Sequence, residues 1–129
     1  MQYEHFIGQV QRRARVASDG EAVKAIRATL ETLAQRIQKE EAEDLAVQLP
    51  EEIGQYLQRS QGGESFDLRE FFEKVGEKEG TGVDTAIAHA KAVVSVLMEA
   101  VASGEIGDVR SQLGPHFDPL FESPTEGRA

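Results

Sequence analysis

Five apolar residues, Val23, Ile26, Leu30, Leu33 and Ile37, recur at spacings of three and four. That rhythm predicts one face of an α-helix about 20 residues long. Sixty-four positions later Ile87, Ala90, Val94, Leu97 and Val101 repeat it member for member. The same offset carries Asp44 to Asp108, Gln48 to Gln112, Leu49 to Leu113, Ile53 to Phe117 and Leu57 to Phe121. Upstream, Phe6, Ile7 and Val10 match Phe71, Phe72 and Val75 at an offset of 65, and the one-residue difference falls in the loop around Gly80, Thr81 and Gly82. Insertions collect in loops, so the chain reads as one helical unit written twice.

Each unit predicts four helical segments. The first helix spans about 2 to 15 and its counterpart about 68 to 79, opened by Asp67 with Glu70 three residues on, a capping-box pattern. The long helices span 21 to 38 and 84 to 103; Ser18 with Glu21 caps the first, and Asp84 opens the second. Glu41 and Glu105 sit at the start of the third helix of each unit, where a carboxylate suits the dipole. Pro50 and Pro115 end that helix and lead into a short fourth one. The expectation is an all-α, pseudo-twofold bundle over residues 1–121, built from repeats 1–60 and 66–121. The stretch 61-QGGES-65 is its linker and 122–129 a disordered tail.

The two long helices differ in pattern. Lys24, Arg27, Glu31, Gln35 and Lys39 lie opposite the first stripe, which predicts a surface helix. The second, TAIAHAKAVVSVLMEAVAS, is apolar nearly all round, which predicts a central helix or one in an oligomer interface.

The chain has 129 residues and no cysteine, which excludes disulfides, thiolate metal sites and a Cys nucleophile and points to the cytoplasm. No apolar run approaches a membrane span, so no membrane partner is expected. A net charge of −9 repels phosphate backbones and argues against nucleic acid. Phosphate-cradling loops and nucleophile elbows are absent, so no catalytic residue and no cofactor is assigned. His5, His89 and His116 occupy different places in their units and form no pair at metal-ligand spacing; no metal is expected. Asp44/Gln48 and Asp108/Gln112 each share a helix face, and their simplest role is architectural: the Gln amide satisfies a neighbouring polar group. Arg12, Arg13 and Arg15 suit the C-terminal dipole of the first helix.

The run Tyr3, Phe6, Val10, the long stripe and AEDLAVQLPEEI, repeated as FDLREFFEKV and EIGDVRSQL, resembles the bacterial domain-of-unknown-function family 2267 over about residues 1 to 121. The resemblance implies an all-helical bacterial cytoplasmic protein. It implies no activity and no site residues. The second copy departs from the pattern at Gly114, where the first has Pro50.

Two functions remain as expectations. The first is a non-enzymatic module that docks a protein partner or a second copy of itself through apolar edges at Tyr56, Leu57, Leu120 and Phe121. The second is a small-molecule site between the units. Its candidate contacts are His89, Lys91 and Met98, the polar or polarizable side chains of an otherwise apolar helix.

Overall fold

The computed structural model describes residues 1–123. The tail expected from 122 onward therefore lies, from residue 124, outside the described residues. Seven α-helices run in the order α1 (Tyr3–Ala14), α2 (Asp19–Arg36), α3 (Lys39–Ala46), α4 (Glu51–Gly54), α5 (Leu68–Glu79), α6 (Val83–Ala100) and α7 (Ser103–Leu113). Two 3-10 segments, Gln55–Gln58 and Pro115–Phe121, follow α4 and α7. Among the described residues there is no strand, only an isolated bridge between Gln38 and Gly62.

The helices α1 and α5 have 12 residues each and α2 and α6 have 18 each, whereas α3 has 8 and α7 has 11. Local chemistry sets their ends. Ser18 Oγ accepts from the Glu21 N–H at 3.2 Å, and Asp67 with Glu70 forms the full reciprocal box at 2.9 and 3.2 Å. Asp84, by contrast, lies inside the first turn of α6, whose N-cap is Gly82. Pro50 is the N-cap of α4.

The helices α1 and α5 each pack on both α2 and α6, which also touch one another. The first 3-10 turn packs on α2 and is itself covered by α3 and α4, the second 3-10 segment packs on α6 and α7, and α3 meets α7. Phe6, Phe71, Ile26, Leu30, Leu33 and Leu97 fill the centre, with Phe71 edge-on to Phe72 and Phe117 at 6.0 and 6.1 Å. Gly54 permits one close approach: a Cβ there would lie 2.7 Å from the Ala46 carbonyl oxygen.

Two expectations need correction. The helix α2 is no surface helix; it buries Ala22, Ala25, Ile26, Ala28, Thr29, Leu30, Thr32, Leu33 and Ala34, a set at least as broad as that of α6. Small side chains account for it. Ala and Thr weaken an apolar stripe on paper yet let neighbouring backbones approach, and Thr32 Oγ1 satisfies itself on the Ala28 carbonyl at 2.8 Å. The stretch 61–65 is no free tether either. Gly63 N–H donates to Ile37 O and Glu64 N–H to Gln35 O, both at 2.9 Å, so it is pinned to the end of α2.

Candidate functional site

The carboxylates Glu41 and Glu105 each occupy the third position of their helix, α3 and α7, and the contact between those helices brings them face to face. With Asp108, one turn further along α7, they place three carboxylate oxygens within 4.8 Å of one another. Glu41 is buried, Glu105 intermediate and Asp108 exposed, so the cluster runs from the interior to solvent. Burial pushes the Glu41 carboxyl up to about 7. The hydrogen bond with Glu105 and the negative charges of Glu105, Asp108 and Asp44 add to the rise. Apart from the contact between the two carboxyls, no donor of the protein reaches Glu41 Oε2 or Glu105 Oε2, and both atoms are buried. By donor chemistry, this all-oxygen set suits a shared proton or a hard cation. Sequence reading treated the two glutamates as separate dipole partners; their common 64-residue offset was the signal that they could converge.

Glutamines frame this junction. Gln48 Oε1 accepts from the Ala102 backbone N–H at 2.7 Å, and Gln112 Oε1 from the Gln38 backbone N–H at 2.9 Å. Gln38 and Ala102 are the N-cap residues of α3 and α7. Each glutamine thus holds the cap residue of the other half's helix, where backbone donors lack intrahelical partners.

The three residues expected to contact a ligand do not share a face. One α-helix turns about 100° per residue, so Lys91 lies about 160°, and Met98 about 180°, round α6 from His89. His89 Nδ1 is 2.7 Å from Oε2 of the buried Glu79. Lys91 Nζ is 3.8 Å from Glu122 Oε1, and Met98 packs against the core. His5 and His116 are exposed.

Of the expected interaction edges, Leu57 and Leu120 are each 1% exposed and belong to the core, so neither offers a side chain to a partner. Tyr56 and Phe121 are half-buried beneath the guanidinium groups of Arg59 and Arg110, at 4.9 and 4.6 Å. Arg13 is committed to α6, donating to Ser95 Oγ at 3.1 Å and pairing with Glu99 at 2.8 Å, beyond the dipole role expected of it. Sequence reading overlooked an apolar groove of about 380 Å³ between α5 and α6, lined by Leu68, Arg69, Phe72, Val83 and Ile87. At 43% exposure, Val83 is one of few large apolar side chains left open to solvent.

No helix among the described residues is long and apolar enough to cross a membrane. A family model described as "Uncharacterized conserved protein (DUF2267)" matches residues 3–120. A search of curated proteins finds no match.

Proposed function

The chain belongs to the DUF2267 family, a family described only as uncharacterized, and from that premise we propose that it is a non-catalytic docking module whose α5/α6 groove receives a basic amphipathic helix of a partner protein. The observation that carries this reading is the groove itself: Leu68, Phe72, Val83 and Ile87 form an open apolar trough at one edge of the bundle. Arg69, the one basic side chain of the lining, is paired with Glu73 at 3.2 Å, exposed Asp67 and Asp84 flank Leu68 and Val83 in sequence, and the chain carries a net charge of −9. A partner with lysines or arginines beside its apolar stripe gains from that field, whereas a second copy is repelled by it.

The reading includes a duplicated unit with a pseudo-twofold junction, in a bacterial cytoplasmic protein. Its support is the equal lengths of α1 and α5 and of α2 and α6, and the two glutamine bonds that run in opposite directions across the junction. The absence of cysteine favours a reducing compartment.

Fluorescence anisotropy with a designed leucine–lysine amphipathic peptide tests the docking, with a leucine–glutamate peptide as control. The basic peptide should bind saturably and the acidic one should not. Val83→Asp should weaken binding about tenfold, by lost apolar contact of about 1.4 kcal/mol. Attraction by charge alone predicts the reverse, since the variant is more acidic. Equal binding of both peptides, no binding, or light scattering that shows concentration-dependent self-association blocked by Val83→Asp would each overturn the proposal.

A further inference from the structure

The junction between α3 and α7 carries an observation that docking at the groove does not use. Glu41 is 8% exposed, no donor of the protein reaches its Oε2, and it faces Glu105, whose Oε2 is equally without a donor. Buried polar atoms are satisfied as a rule, and a carboxylate oxygen without a donor is among the costlier exceptions. The charged groups that act most strongly on Glu41 are Glu105, Asp108 and Asp44, all acidic. The dipoles of the two helix N-termini offset roughly half a charge each, which leaves three converging carboxylates with a negative surplus.

We propose that Glu41, Glu105 and Asp108 form a binding site for a hard divalent cation of the calcium class, held between the first turns of α3 and α7 and reached from solvent past Asp108. The donor set is all oxygen, which selects against soft metals and favours calcium, magnesium or manganese. Separations of no more than 4.8 Å allow the three oxygens to meet on one hard cation, two oxygens across a calcium ion being about 4.8 Å apart. Exposed Asp108 leaves room for water to complete the coordination shell. The ion's structural effect follows from its position: it ties a helix of the first half to a helix of the second, at the junction the two glutamines already bridge.

The test uses the full chain, treated with chelator and titrated at pH 7.5 with calcium, manganese and magnesium in turn. Binding is read by isothermal titration calorimetry and by thermal unfolding. Calcium should bind at one equivalent and raise Tm by roughly 5–10 °C at a hundredfold excess over Kd. Glu41→Gln and Glu105→Gln should each weaken binding at least about tenfold while leaving the apo fold intact by circular dichroism, because each removes a repelling charge with little change of shape. Should either variant fail to fold, Asp108→Asn at the exposed rim provides the same reading. The Glu51→Gln/Glu52→Gln variant, altered on exposed α4, controls for diffuse attraction to an acidic surface and should bind as the parent does. No saturable binding of the three cations up to about 10 mM, beyond the weakest class of protein calcium sites, overturns the proposal. So does binding indifferent to Glu41→Gln, or a Tm that follows pH but no cation, the signature of a shared proton alone.

Discussion

Gln48 reaches across the molecule to accept the backbone N–H of Ala102 at 2.7 Å, at the start of a helix in the opposite half of the chain. Gln112 does the same for Gln38 at 2.9 Å. Neutral hydrogen bonds of this kind contribute about 0.5–1.5 kcal/mol net. Gln48→Ala and Gln112→Ala should each lower the free energy of unfolding by about 1 kcal/mol in urea denaturation. Asp44→Ala should cost less than either, since the recurring Asp has no such partner across the junction. Losses within error for both glutamines would show that the bonds do not hold the junction in solution.

Glu41 makes stability depend on pH in a definite direction. Its carboxyl is raised in the folded state to about 7 from an ordinary 4.5, so the native protein holds this proton more tightly than the unfolded chain. Between those two values stability therefore falls as pH rises, and above about 7 the loss is complete. The difference amounts to roughly 3 kcal/mol. Glu41→Gln should remove it: the variant should match the parent near pH 4.5 and exceed it by roughly that amount at pH 7.5 in chelator. Parallel pH profiles of parent and variant would show that Glu41 titrates normally.

Leu97 is 1% exposed, in the middle of α6, within the hydrophobic core. Leu97→Ala deletes three carbons from a site that cannot fully collapse and should destabilise the protein by roughly 2–5 kcal/mol. Chemical denaturation measures it, and a loss below about 1 kcal/mol would place Leu97 outside the core.

The stripe that marks Leu97 was legible because large apolar residues carry their own period, and the same holds for Asp67 and Glu70, whose spacing alone defines a capping box. The burial of α2 was not legible. Its interior faces are made by Ala22, Ala25, Ala28, Thr29 and Thr32, residues that suit surface and interior alike, and only packing decides. Leu57 and Leu120 were misplaced for a related reason: a short apolar pair at a chain turn can point in or out, and both leucines point in. The carboxylate junction escaped because Glu41 and Glu105 each have a sufficient local explanation at a helix start. Their meeting is a property of tertiary contact between α3 and α7, which no spacing along one helix encodes.

The glycine pair between the halves has a consequence for protein engineering. A QGGES stretch invites the insertion of a tag, a fluorophore or a second domain, because such stretches are usually tolerant ground. Here Gly62 stands at φ +76° with the Ile37 carbonyl so close that a Cβ would collide with it, and Gly63 follows at φ +73° with its N–H on that same carbonyl. Cargo placed at this point would pull on Ile37 and on Gln38, the residue that Gln112 holds from the far side. The glycine pair is best left untouched.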